Sequence, residues 1–92
     1  MIATPVLDRS TVLAVARLEL LVAAPDVPAD APADAHLVRD LGVDSLGLLE
    51  FVARLEYRYG LSVPDADWPL LGTLDEVAGY VVERTGRDKG DA

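Results

Sequence analysis

Few side chains in this chain can do chemistry. His36 is its only imidazole, cysteine is absent from all 92 residues, and no HExxH pair, glycine-rich phosphate loop or EF-hand loop occurs. An autonomous enzyme needs a group that titrates near neutrality, a nucleophile with a base, or a metal cluster. Without Cys there is no disulfide, no thiolate nucleophile and no Cys-ligated zinc, a composition compatible with a reducing cytosol. His36 adjoins Leu37 in a Pro-rich stretch and reads as a surface or packing residue rather than a general base. Asp26, Asp30, Asp34, Asp40 and Asp44 are strung along that stretch. A dedicated cation site needs convergent oxygens at tight spacing, so these acids read as solvated charge, at most a diffuse counterion region, and no metal site is expected.

Ser45 is the hydroxyl in an unusual setting, between Asp44 and Leu46 and directly after Leu41-Gly42-Val43. A serine where a loop becomes a helix is ordinarily just a cap. The other reading makes the hydroxyl a site of modification. An unassisted serine is a poor nucleophile, and its only nearby bases in sequence are carboxylates, so Ser45 would be a substrate rather than a catalyst.

The elements that must position these residues follow from pattern. Thr4 and Pro5 are placed as N-cap and first-turn residue of a helix from about Pro5 to Ala23, which ends before Pro25. From Ala24 to Val43, Pro25, Pro28 and Pro32 prevent a continuous helix, and no strand alternation appears. So long a connection must pack or work, with His36, Leu37 and Val38 as its anchor. A second helix runs from about Ser45 to Tyr59, capped by Asp44, stapled by Val43 and Leu48, and stopped by Gly60.

The inner stripe of that second helix is Leu48, Phe51, Val52, Leu55 and Tyr59. Its other side presents Leu46, Gly47, Leu49, Glu50, Ala53, Arg54 and Tyr57, apolar groups mixed with charge. Such a face is either a docking surface or tucked under a neighbouring loop. Pro64 to Trp68 reads as one helical turn broken by Pro69. A last helix opens on a Thr73/Glu76 capping box, carries Leu74, Val77, Ala78, Val81 and Val82 inward, and stops near Gly86. Asp65, Asp67, Asp75 and Glu76 sit at helix starts, where the dipole favours carboxylates.

The fold expected is all-α: a small four-helix bundle, three main helices plus one short one, with a long loop between helices 1 and 2. Residues 1–92 read as one domain with its core over about 5–85 and a frayed tail over 86–92. The initial Met and the polar end point to a free-standing protein. An apolar fraction of 51% suffices to bury a core, and the formal charge of −8 argues against nucleic acid, which is held mainly by Lys and Arg. A basic or arginine-bearing protein surface is the better mate. No apolar run is long enough to span a membrane, so the chain reads as soluble, cytoplasmic and monomeric.

The run Asp40-Leu41-Gly42-Val43-Asp44-Ser45-Leu46 resembles the prosthetic-group attachment motif of acyl carrier proteins, an Asp-Ser-Leu at the start of the second of four helices. The likeness continues through Glu50 to Glu56, the Leu61-Ser62-Val63-Pro64-Asp65 link and Thr73-Leu74-Asp75-Glu76-Val77, covering Leu20 to Arg84.

The resemblance implies that Ser45 receives 4'-phosphopantetheine from coenzyme A through a separate phosphopantetheinyl transferase, with Asp44 and Leu46 flanking the attachment. The missing cysteine then makes sense, since the reactive thiol arrives with the arm. That thiol would carry an acyl group as a thioester, and the protein would be a carrier rather than an enzyme. The matching recognition residues are Asp40 and Asp44, then Leu46, Leu49, Glu50, Ala53 and Glu56, with Gly47, Arg54 and Tyr57 completing the docking face. Gly47 and Tyr57 replace frequent acids, and Arg54 and Arg58 add positive charge to a helix that is often strongly acidic.

Those departures point to a dedicated polyketide, antibiotic or related pathway, with an acyltransferase, ketosynthase or acyl/aminoacyl ligase as partners. The alternatives are an aminoacyl or peptidyl carrier, and a helical adaptor with no covalent arm. Trp68 is also less usual, and reads as core packing or as lining for the arm's cargo.

Overall fold

The computed structural model describes residues 7–90 by backbone and 7–86 by side chain. Three α-helices, α1 (Arg9–Ala23), α2 (Ser45–Tyr59) and α3 (Leu74–Gly90), are joined by a folded loop and a 3-10 helix over Asp65–Leu70. Among the described residues there is no strand, only an isolated antiparallel bridge between His36 and Thr73.

α1 starts later than the sequence pattern implies. Asp8, extended at φ −96° and ψ 157°, is its N-cap. The Asp8 Oδ1 accepts the Thr11 N–H at 2.8 Å and the Ser10 hydroxyl at 2.7 Å, bonds that hold its carboxyl below the usual range, the Thr11 backbone bond most of all. Thr4 and Pro5, the expected cap pair, lie outside the described residues. The helix buries Val12, Ala16 and Leu20 together with one acid, Glu19.

The loop after α1 folds by turns rather than helix, as its prolines require. Val27, Ala31 and Leu37 enter the core. The Leu37 N–H donates to the Gly72 carbonyl at 2.8 Å, the Asp75 N–H donates to Ala33 O at 3.0 Å, and Arg17 reaches the Ala31 carbonyl at 2.6 Å. Of the three expected anchor residues only Leu37 is buried; Val38 is exposed.

In the 3-10 helix, Pro69 is no breaker. The Asp67 N–H bonds to Pro64 O and the Leu71 N–H to Trp68 O, so neither turn needs the N–H that Pro69 lacks. α3 begins as the capping box predicts, its Glu76 N–H donating to Thr73 Oγ1 at 3.1 Å. It then runs through Gly86 to Gly90, correcting the expected stop near Gly86. A glycine ends a helix by taking positive φ, and among the described glycines only Gly42 and Gly60 do so.

α1 packs against both α2 and α3. Phe51, Leu55 and Val52 of α2 meet Leu74, Val77, Ala78 and Val81 of α3 and the α1 stripe in one apolar cluster. Each large side chain buried there contributes about 1.5–3 kcal/mol, which a chain without cysteine needs.

Candidate functional site

The residues leading into Ser45 form a hydrogen-bonded turn. The His36 carbonyl accepts the N–H groups of Asp40 at 2.9 Å and Leu41 at 3.0 Å, and the Val43 N–H returns to Leu37 O at 2.9 Å. The His36 side chain braces it from within, its Nδ1 accepting the Val38 and Arg39 N–H groups at 3.2 and 3.1 Å. These two bonds make His36 a turn-forming acceptor in this arrangement. The Asp40 Oδ2 accepts the His36 N–H at 2.8 Å. Gly42 closes the turn at φ +73°, a conformation that costs other residues about 1–2 kcal/mol.

The turn delivers the chain to α2, where capping and chemistry are divided between neighbours. Asp44, extended at ψ 176°, is the N-cap. Its Oδ1 accepts the Gly47 N–H at 2.8 Å, and Val43 before it and Leu48 after it both join the core as a staple requires. Ser45 is therefore the first helical residue, exposed, and its hydroxyl has no hydrogen-bond partner among the described residues. It is not the cap.

The expected docking face is only partly a free surface. Leu46, 72% exposed, Leu49 and Tyr57, 93% exposed, stand out from α2, and Glu50 and Ala53 are exposed beside them. Gly47 is not among them. It is buried against the end of α1, where an added Cβ would lie 3.5 Å from the Ala23 carbonyl and 3.3 Å from Asp44 Oδ1. Its place on the helix wheel is the flank that faces α1, so its lack of a side chain serves close packing. Glu56 is half-buried, and its Oε2 accepts the Val63 N–H at 2.8 Å.

Arg54 and Arg58 are tied to α1 through their Nε–H groups. Both meet Glu19, which is only 7% exposed: Arg54 Nε donates to Oε1 at 2.6 Å and Arg58 Nε to Oε2 at 2.8 Å. These bonds, that of Arg58 first, hold the Glu19 carboxyl below its ordinary range against the opposing effect of burial. Arg54 Nη1 also lies 3.7 Å from Glu50. Half of the positive charge that Arg54 and Arg58 place on α2 is thus compensated by an α1 residue whose role the pattern alone does not show. A signal for it existed: a lone acid between Leu18 and Leu20, on the inward side of α1, and two arginines at i and i+4.

Two hollows flank this face. One of about 260 Å³ lies between the end of α1 and the Ser45 turn, lined by Ala23, Val27, Leu41, Asp44, Leu46 and Gly47 among others. The other, an open groove of about 750 Å³, has Glu19, Glu50, Ala53, Arg54, Tyr57 and Arg58 as its walls and floor. Trp68 packs against the core as the simpler reading expects, yet its Nε1–H is buried with no acceptor among the described residues. Asp67 Oδ2 accepts the Tyr80 hydroxyl at 2.8 Å and Arg84 reaches the Ser62 carbonyl at 3.0 Å, which ties the 3-10 region to α3. No helix among the described residues is long and apolar enough to cross a membrane.

An exposed hydroxyl, free of local bonds, on the first turn of a well-capped helix suits covalent attachment of a phosphorylated group. Phosphate on the first helical turn is favoured by the dipole and the unpaired N–H groups there. The family profile described as "Phosphopantetheine attachment site" matches residues 10–81. The chain is similar to an acyl carrier protein of Bdellovibrio bacteriovorus, 38% identical over 60 residues, which span 65% of this chain and 76% of that protein. It is 34% identical over 64 residues to an acyl carrier protein of Campylobacter hominis, across 70% of this chain and 77% of that one. It is also 33% identical over 54 residues to the meromycolate extension acyl carrier protein of Mycolicibacterium aurum, across 59% of this chain and 56% of that one. The chain therefore belongs to the phosphopantetheine-attachment family, as an acyl carrier protein with a covalently attached 4'-phosphopantetheine.

Proposed function

We propose that Ser45 is the attachment residue and that the chain acts as a carrier, not an enzyme, handing acyl groups between enzymes of a polyketide or related natural-product pathway. The observation that carries the attachment is the division of labour at the head of α2. Asp44 Oδ1 takes the capping bond from Gly47 N–H at 2.8 Å, which leaves the exposed Ser45 hydroxyl free for a transferase to use. The arm supplies, once attached, the thiol on which acyl groups ride as thioesters. Everything else falls to the chain's own residues. The turn closed by Gly42 and His36 fixes where Ser45 emerges, Asp40 and Asp44 set negative charge beside it, and Leu46 and Leu49 offer apolar contact to a docked enzyme. A tether of this kind raises the effective concentration of the bound group at each partner. Charged, steered contacts make the encounter fast while a small apolar centre keeps it brief.

Partners on this reading are a phosphopantetheinyl transferase first, then an acyltransferase, ketosynthase or acyl ligase. The pathway assignment is supported by an α2 face that is apolar and charge-mixed rather than uniformly acidic. The relative named for meromycolate extension serves that process in its own organism, so the assignment needs its own test. Incubation with coenzyme A and a broad-specificity transferase is expected to raise the intact mass by one phosphopantetheine in wild type and not in Ser45→Ala. No rise in wild type overturns the attachment. Elongation by generic fatty-acid synthase enzymes as fast as on their own carrier overturns the pathway assignment alone.

A further inference from the structure

The exposed apolar surface does not stop at α2. Beyond the first turn of α1 the exposed residues are Ala14, Leu18 and Val22, at i, i+4 and i+8, with Leu18 61% and Val22 53% exposed. The charges of that helix are turned inward or to the rim: Arg9 to the Asp75 carbonyl, Arg17 to the Ala31 carbonyl, and Glu19 to both arginines of α2. The groove of about 750 Å³ is lined on the α1 side by Glu19, the neighbour in sequence of Leu18, and on the α2 side by Glu50, Ala53, Arg54, Tyr57 and Arg58.

The floor is charge-balanced, two carboxylates (Glu19, Glu50) against two guanidinium groups, in a chain of net charge −8. It is nevertheless unsaturated in donors. Glu19 takes the Nε–H of each arginine, and among the described residues the terminal nitrogens of Arg58 have no acceptor. A basic partner gains nothing here. An apolar side chain gains Ala53 and the Tyr57 ring, and a carboxylate gains the planar fork of Arg58, a geometry that suits bidentate pairing.

We propose that the α1–α2 groove is a second docking zone, taking an apolar helix of a partner protein that bears a carboxylate aimed at Arg58. The proposal rests on the carrier reading, since it extends the docking face of α2. A paired-helix groove fits a third helix through anchors at i, i+4 and i+8. A second copy of this chain is the poorer occupant, because it sets −8 against −8. The consequence is a polarised surface. Asp40 and Asp44 ask for basic groups at the Ser45 end, and Arg58, about 20 Å further along by the rise of an α-helix, asks for an acid. A partner is thereby oriented as well as held.

The test titrates the isotope-labelled full chain with a blocked helical peptide carrying Leu at i, i+4 and i+8 flanked by Glu, alongside Gln and Lys versions. The Glu peptide is expected to shift Leu18, Val22, Arg54, Tyr57 and the Arg58 side chain saturably. Binding is expected to weaken about tenfold for the Gln peptide, and for Arg58→Gln with the Glu peptide. No shift, shifts confined to Asp40–Leu46, or equal binding of the Gln peptide overturns the proposal. So does a sedimenting dimer that Leu18→Glu dissociates with its helix content intact, since the occupant is then a second copy. Transferase loading of Ser45 is measured separately. Normal loading with a silent groove refutes this proposal and spares the carrier reading, whereas failed loading strikes the carrier reading itself.

Discussion

Glu19 of α1 accepts the Nε–H of Arg54 of α2 at 2.6 Å, and its second oxygen accepts that of Arg58 at 2.8 Å. One buried carboxylate thus fastens two helices and offsets half of the positive charge that Arg54 and Arg58 bring to α2. The placement fits the balance of costs. A carboxylate this buried needs its lone pairs filled, while the arginines, half-exposed, keep their outer edges in water.

Glu19→Gln is expected to lower stability at pH 7 by about 1–2 kcal/mol, a figure that allows for solvent screening of the exposed arginine ends. The pH dependence has a definite sign. The Glu19 pKa is lowered by folding from its ordinary 4.5, chiefly by Arg58 and then Arg54. Its stabilisation is therefore complete above about pH 4.5 and is lost as pH falls through the folded value. Urea unfolding of both proteins from pH 7 to 3 should show the gap between them closing on the acid side. A gap independent of pH would remove the ionised carboxylate from the explanation.

Asp44 and Ser45 make separable contributions. Asp44→Ala deletes the bond to the Gly47 N–H and is expected to cost about 1 kcal/mol. Ser45→Ala is expected to change stability by less than about 0.5 kcal/mol, as for an exposed residue without bonds, while abolishing arm attachment. Thermal unfolding combined with intact mass measures both. If Ser45→Ala costs as much as Asp44→Ala, the serine is a cap after all.

The helices were legible in the sequence because their signals are local. The Asp44 cap, the Gly60 stop, the Thr73/Glu76 box and the apolar stripes of α2 and α3 all lie within a few residues of what they determine. What the sequence left ambiguous depends on which helix lies across from which. Gly47 looks like a surface residue until α1 is laid over it. Arg54 and Arg58 look like free charge until Glu19 comes within 3 Å. The start of α1 is ambiguous in sequence because Thr4-Pro5 and Asp8 both satisfy capping rules, and it is the side chain of Asp8 that makes the bond to the Thr11 N–H. The Leu37 anchor could be guessed from its neighbours, but its partner, the Gly72 carbonyl, lies in another loop.

Trp68 packs partly buried with an Nε1–H that finds no acceptor among the described residues. A buried unpaired donor costs about 1–3 kcal/mol. Trp68→Phe removes that donor along with some ring area, and the two effects oppose each other. The expected change in unfolding free energy is within about 1 kcal/mol of zero, unlike the 3–5 kcal/mol of a typical large aromatic truncation in a core. A loss of 3 kcal/mol or more in urea unfolding would mean that the donor is satisfied in solution.

Charge repulsion and ion pairing make opposite demands on salt, and here repulsion should prevail. Asp26, Asp30, Asp34, Asp40 and Asp44 are all exposed along one loop in a chain of net charge −8. Screening over a Debye length of about 10 Å at 0.1 M acts on such solvated charges in full. The Glu19 pairs lie at 2.6 and 2.8 Å around a buried carboxylate, where screening acts much less. Raising NaCl from about 20 mM to 500 mM is therefore expected to raise the melting temperature, by about 5 °C if the gain is about 1 kcal/mol. A flat or falling melting temperature would show that the acids are already compensated, and that the negative field in which partners meet this chain is weaker than its composition implies.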